Sequence, residues 1–156
     1  MHRRLTSMTI LIADDDTDDR LFMDKALRQS GYMQNIQFVE DGEELMEYLR
    51  REGRYNEQNA PWPNLLILDL NMPRKNGVEC LKEIRSTKKF KDIPVVIFST
   101  SSLQASIEQV YNEGANFYVK KPGSFPKLKK AIEQILDTDW NNQKFGMSMD
   151  RFYFTF

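Results

Sequence analysis

Short apolar runs alternate with amphipathic segments along most of this chain, and this alternation constrains the fold more than any other feature. The runs predict five buried strands, at residues 9–13, 36–39, 65–70, 94–99 and 116–119. The remaining segments carry apolar residues at helical spacing and predict five helices, around 18–30, 41–52, 77–87, 103–114 and 128–136. Because strict alternation favours crossover connections, we expect an α/β fold whose parallel sheet is covered by helices on both faces.

Four of the predicted strands end in residues that can carry chemistry. The strand ends are Asp14-Asp15-Asp16 after the first strand, Asp69 in the third, residues 99–102 in the fourth, and Lys120-Lys121-Pro122 after the fifth. In a parallel sheet of this kind, the carboxyl ends of the strands lie at one edge, where such folds bind their ligands. We therefore expect these side chains to converge.

The convergence of these residue types predicts a phosphoryl-transfer site. Clustered carboxylates repel one another, so their ionised form needs a positive partner. A hard cation bound by oxygens meets that need, and Mg²⁺ suits few carboxylates together with phosphate and water. A nearby lysine and hydroxyl groups can bind phosphate oxygens. The set indicates magnesium-dependent transfer to a carboxylate, with an aspartate as the nucleophile.

Each group also has a simpler interpretation that the residues leave open. Asp16, Asp18 and Asp19 suit the start of the first helix through capping and the helix dipole. The lysine pair would be solvated, and residues 99–102 would form an ordinary loop with an N-cap. All of these interpretations would have to hold together at strand ends of the same edge.

Four motifs make the chain resemble the receiver domains of two-component response regulators over about residues 8–138. They are ILIADDDTDDR, LLILDLNMPRKNG, IPVVIFSTSS and GANFYVKKP. The resemblance implies a flavodoxin-like, doubly wound fold with five parallel strands in the order 2-1-3-4-5 and five helices. It also implies a single-domain response regulator of a two-component signalling system. Such a protein is not an enzyme and catalyses only its own phosphorylation and its slow autodephosphorylation.

The resemblance implies a role for each residue of the acidic edge. Asp69 matches the acceptor that becomes an aspartyl phosphate. Asp15 and Asp69 would bind Mg²⁺ directly, and Asp14 would bind it through water. The main-chain carbonyl of Asn71 would complete the protein ligands.

The resemblance also implies a switch that responds to the phosphate. In such domains the switch hydroxyl falls five residues after the proline that opens the fourth strand, and counting from Pro94 selects Ser99. The lysine that stands directly before a proline is Lys121. Tyr118 matches the aromatic switch position, and it would move inward once Ser99 bonds the phosphate.

The resemblance extends to partners and to the ends of the chain. The donor would be a histidine kinase or a histidine phosphotransfer protein, and a downstream protein would read the face of the fourth helix, fifth strand and fifth helix.

We divide the chain into a flexible leader (1–7), a receiver domain (8–139) and an aromatic-rich tail (140–156). The tail and an insertion at 53–64 resemble those of small receivers paired with bacterial phytochromes, which lack an output domain. We expect the tail to fold back on the domain or to build a homodimer interface.

Charge and hydropathy narrow the function classes that remain. The formal net charge of −1 provides no basic field for nucleic acid. The apolar runs are shorter than the roughly 20 residues that cross a bilayer. We expect a cytoplasmic protein without nucleic-acid or membrane partners. Two alternatives stay open, namely a haloacid-dehalogenase-like phosphatase, whose signature is out of register at Thr17, and a degenerate receiver that serves only as a docking module.

Overall fold

The computed structural model describes residues 8–32, 34–138, 140 and 149–156, so the predicted leader at 1–7 lies outside the described residues. The strands are β1 (Met8–Ala13), β2 (Gln34–Val39), β3 (Leu65–Asp69), β4 (Val95–Ser99), β5 (Phe117–Lys120) and β6 (Tyr153–Phe154). The helices are α1 (Thr17–Arg28), α2 (Gly42–Arg50), α3 (Gly77–Ser86), α4 (Gln104–Asn112), α5 (Phe125–Asp137) and α6 (Met149–Phe152). Within these described ranges, no helix combines the length and the apolar character that a membrane span needs.

The strands form one parallel sheet in the order β2-β1-β3-β4-β5-β6. The predicted order of the first five strands is confirmed, and with it the flavodoxin-like, doubly wound α/β fold. The prediction of five strands and five helices omits β6 and α6, which have two and four residues. Elements of that length contain too few residues for a hydrophobic period to reveal them.

Two hydrophobic cores lie on opposite faces of the sheet because neighbouring residues of a strand point to opposite sides. On one face, Leu66 and Ile97 pack with residues of α2, α3 and α4. On the other face, Ile67 and Val96 pack with residues of α1 and α5. Burial of both faces explains why the central strands are nearly continuous apolar runs.

Side-chain caps fix the starts of the helices that follow β1 and β3. The Asp16 side chain accepts the Asp19 N–H at 3.1 Å and caps α1, which confirms the helix-start interpretation for Asp16. At α3, the side chains of Asn76 and Glu79 each accept the other residue's backbone N–H at 2.9 Å. Both helices therefore begin close to the strand ends that carry the acidic residues.

Arg85 of α3 fastens the loops that precede β4 and β5. Its guanidinium group donates to the carbonyls of Lys91 at 3.0 Å, Ile93 at 2.7 Å and Gly114 at 2.8 Å. It also donates to the side-chain oxygen of Asn116 at 2.9 Å. Burial lowers the pKa of the Arg85 guanidinium to about 10, so the group stays charged at neutral pH.

The insertion at 53–64 is packed against the domain. The Tyr48 hydroxyl of α2 donates to the Pro61 carbonyl at 2.7 Å. The rings of Trp62 and Phe90 lie 5.8 Å apart. The insertion leads into the start of β3, at the opposite end of that strand from Asp69.

The aromatic tail is described at residue 140 and at 149–156, while Phe145 lies outside the described residues. Trp140 is buried, and its indole N–H donates to the Ile135 carbonyl at 3.1 Å. Its ring meets that of Phe117 edge-on at 5.4 Å. The boundaries proposed at 139 and 140 stay a prediction.

Candidate functional site

The residues predicted for the site lie at the carboxyl edge of the sheet. Asp14 directly follows β1, and Asp69 is the last residue of β3. Ser99 is the last residue of β4, and Lys121 directly follows β5. Asp14, Asp69 and Ser99 are buried, whereas Asp15 is exposed. The edge rule for parallel sheets therefore locates them correctly.

Three carboxylates of this edge form an acidic cluster, which consists of Asp14, Asp15 and Asp69. One oxygen from each side chain lies within 4.8 Å of the other two. In the part of the chain that the structure describes, no other group of acidic, histidine or cysteine side chains meets these conditions for a metal ion. The donors are all oxygens, which hard divalent cations prefer.

Lys121 donates to three carboxylates at this edge. Its Nζ lies 3.2 Å from an Asp14 oxygen and 3.3 Å from an Asp69 oxygen. Its shortest contact, 2.7 Å, is with Asp19 in the first turn of α1. Sequence reasoning treated Asp19 only as a helix-start acid and missed this contact. The available signal was its position one turn beyond Asp15, where the start of α1 still faces the acidic edge.

The electrostatics of the edge leave an excess of negative charge. Burial raises the pKa of Asp14 to about 6 and also raises that of Asp69, although Lys121 opposes both shifts. Burial alone would lower the pKa of Lys121, but its contacts with Asp19, Asp69 and Asp14 raise it overall. One ammonium group thus faces several carboxylates, so a bound cation would relieve their repulsion.

Two glycines bring the loop after Asp69 close to its neighbours. A Cβ atom on Gly77 would lie 2.4 Å from the carbonyl oxygen of Asp69. A Cβ atom on Gly42 would lie 1.9 Å from the carbonyl oxygen of Lys75, a residue of this loop. Both positions therefore require glycine, because any side chain would clash with the neighbouring backbone. In this loop the Asn71 N–H donates to Asp69 Oδ1 at 3.3 Å. The metal-binding role of the Asn71 carbonyl stays a prediction.

Ser99 and Tyr118 are connected through the backbone of Ser101. The Ser99 hydroxyl oxygen accepts the Ser101 N–H at 3.2 Å, and the Tyr118 hydroxyl donates to the Ser101 carbonyl at 2.8 Å. Both side chains are fully buried. Tyr118 thus already occupies the interior position that the sequence predicts for it after phosphorylation, and the switch roles of both residues stay predictions.

A cavity of about 320 Å³ lies beside Lys121, between α1 and α5. Its lining includes Phe22, Met23 and Phe125. Phe22 is 54% exposed, and the neighbouring Leu21 is 63% exposed. Phe22 lines this cavity together with Asp14 and Lys121, so its exposed ring provides an apolar surface beside the acidic site that another protein could cover.

Comparisons with known proteins agree with this geometry. The family model of the response regulator receiver domain matches residues 10–133. Response regulator Rcp1 of Synechocystis sp. is 33% identical over 126 residues, which are 81% of this chain and 84% of that protein. The structure of the phosphorylated cyanobacterial phytochrome response regulator RcpA has a TM-score of 0.79 at 35% identity, covering 89% of this chain and 97% of that one. The Mn²⁺-bound form of Rcp1 has a TM-score of 0.77 at 30% identity, covering 90% and 99%.

Proposed function

Because this chain belongs to the family of response regulator receiver domains, we propose that Asp69 accepts a phosphoryl group from a phosphohistidine. The donor is a histidine kinase or a histidine phosphotransfer protein. The observation that carries the proposal is the acidic cluster, in which Asp69 lies within 4.8 Å of Asp14 and Asp15 while Lys121 contacts its buried members. The exposed Phe22, which lines a cavity together with Asp14 and Lys121, supports docking of the donor on α1.

In the proposed transfer, a carboxylate oxygen of Asp69 attacks the phosphorus atom. The P–O bond forms as the P–N bond to histidine breaks. The electron pair of the broken bond stays with the imidazole, which takes up a proton from solvent. Lys121 then exchanges part of its contact with Asp14 and Asp69 for a phosphoryl oxygen, which carries more negative charge than a shared carboxylate.

The acidic cluster fits a divalent cation because its donors are oxygens and its buried carboxylates have raised pKa values. Asp14, Asp15, Asp69 and the main-chain carbonyl of Asn71 would hold Mg²⁺. When bound, the ion supplies positive charge that offsets the charge of the transferring phosphoryl group. The relative Rcp1 has been solved in an Mn²⁺-bound form, which supports a divalent ion in this chain.

The signal leaves the site through Ser99 and Tyr118. Once Asp69 carries the phosphate, the Ser99 hydroxyl bonds it, and the Tyr118 ring occupies the interior. This local change in charge shifts the populations of the conformations that the face formed by α4, β5 and α5 adopts. A downstream protein, or a second copy of this chain in a homodimer, reads that face.

Acetyl phosphate with Mg²⁺ tests the proposal and separates it from both alternatives. A receiver gains a covalent phosphoryl group, which a measurement of the intact mass detects. A haloacid-dehalogenase-like phosphatase instead releases inorganic phosphate from external monoesters, and a degenerate docking module does neither. We expect the covalent adduct, and an unchanged mass would overturn the proposed function.

Magnesium affinity should fall when Asp15 is replaced by asparagine. The variant loses one anionic oxygen ligand. Replacement of a residue that only orients a metal ligand already weakens metal binding by about 10- to 100-fold. We expect a loss of at least about tenfold for Asp15→Asn, measured by isothermal titration calorimetry. Asp18→Asn is the matched control, since Asp18 is an exposed acid three residues away, in the first turn of α1 and outside the acidic cluster. Equal Mg²⁺ affinity in the two variants would remove Asp15 from the ligand set.

A further inference from the structure

The end of the chain packs as a C-terminal clasp, defined here as residues 149–156, against the edge of the sheet at β5. Its strand β6 pairs in parallel with β5, with Tyr153 opposite Tyr118 and Phe154 opposite Val119. Phe152 is fully buried and belongs to the same hydrophobic core as Tyr118. The clasp therefore covers part of the face from which the signal is proposed to leave.

Two rings of the clasp pack on the ring of Tyr118. The ring centroid of Tyr153 lies 5.6 Å from that of Tyr118, and the centroid of Phe152 lies 6.3 Å from it. Phe152 also meets Tyr111 of α4 edge-on at 5.1 Å. Aromatic pairs at these separations are mutually stabilising, so Phe152 connects α4 and the Tyr118 ring in one packed group.

The Tyr118 side chain is held at both of its ends. Its hydroxyl donates to the Ser101 carbonyl, and the Ser101 N–H donates to the hydroxyl oxygen of Ser99 beside the acidic cluster. Its ring is held by the clasp. Contacts therefore run without a gap from Ser99 at the phosphorylation edge to Phe152 near the end of the chain.

We propose that docking of the C-terminal clasp and the inward position of Tyr118 are energetically coupled, which makes Phe152 a positioning residue for the phosphorylated state. The inference rests on the proposed function, because that function makes the inward Tyr118 the phosphorylated arrangement. Phe152 packs on the Tyr118 ring in its inward position, so removal of the Phe152 ring takes away a neighbour that stabilises this position. By linkage, a phosphoryl group on Asp69 then tightens the clasp, and the docked clasp tightens binding of a phosphoryl mimic by the same factor.

Beryllofluoride affinity in the presence of Mg²⁺ measures this coupling in the full chain. We expect Phe152→Ala to weaken beryllofluoride binding by about fivefold or more, the lower range of typical coupling between sites. Phe156→Ala is the matched control, because Phe156 lies in the clasp but packs on Phe154 and not on Tyr118. Its affinity should stay within about twofold of the unaltered chain, well below the coupling range.

Hydrogen exchange of the unaltered chain gives a second measurement that does not depend on how Phe152→Ala folds. Amides of residues 149–154 should exchange more slowly when beryllofluoride and Mg²⁺ are bound. Equal affinity of Phe152→Ala and the unaltered chain, or unchanged exchange in 149–154, would overturn the coupling and leave the proposed function intact. Failure of the unaltered chain to bind beryllofluoride would instead overturn the proposed function.

Discussion

Phosphoryl incorporation should be abolished when Asp69 is replaced by asparagine. The amide is uncharged and lacks the nucleophilic carboxylate oxygen, so no P–O bond forms at this position. We expect the variant to fold, because burial already disfavours the charged form of Asp69 and raises its pKa. Lys121 also keeps its contacts with Asp14 and Asp19.

Incubation with acetyl phosphate and Mg²⁺, followed by measurement of the intact mass, checks this expectation. Asp18→Asn serves as the control for loss of one acidic charge on the same side of the domain. It should incorporate phosphate as the unaltered chain does. Incorporation into Asp69→Asn at the level of the unaltered chain would mean that another residue is the acceptor.

Replacement of Arg85 by methionine should cause a large loss of folding stability. Methionine keeps an unbranched apolar stem but removes the guanidinium group, which donates hydrogen bonds to Lys91, Ile93, Gly114 and Asn116. Hydrogen bonds from a charged group each contribute about 1.5–3 kcal/mol. We therefore expect the free energy of unfolding to fall by about 3 kcal/mol or more, as measured by urea denaturation.

Lys82→Met is the matched control for that measurement. Lys82 lies on the same helix, is 57% exposed, and pairs with Glu113 at 3.6 Å. Exposed ion pairs of this kind contribute at most about 1 kcal/mol. A similar loss of stability in the two variants would show that the Arg85 hydrogen bonds do not fasten the loops before β4 and β5.

The position of the site followed from the sequence because parallel topology fixes it. Once apolar runs and amphipathic segments alternate, the residues at the strand ends, such as Asp14, Asp69 and Lys121, must lie at one edge. The contact between Asp19 and Lys121 could not be predicted in the same way. It depends on the rotation of α1 against the sheet, and the helix-start preference of aspartate explains its position equally well.

The tail was harder to predict for a different physical reason. Its aromatic residues indicate burial, but no periodic pattern says which surface buries them. The pairing of Tyr153 with Tyr118 depends on contacts between residues far apart in the sequence. The burial of Tyr118 likewise depends on neighbours from β4, α4 and the clasp, which no local motif specifies.

The pairing of β6 with β5 also bears on the behaviour of the protein at high concentration. An open strand edge offers unpaired backbone groups to other chains and invites aggregation, and very short edge strands reduce that risk. Here the strand at one edge of the sheet is β6, which is only two residues long. The opposite edge is β2, where Gln34, Asn35 and Gln37 place polar side chains along the strand. A chain with an undocked clasp would expose β5 and should therefore self-associate more readily, even where its phosphorylation chemistry is unchanged.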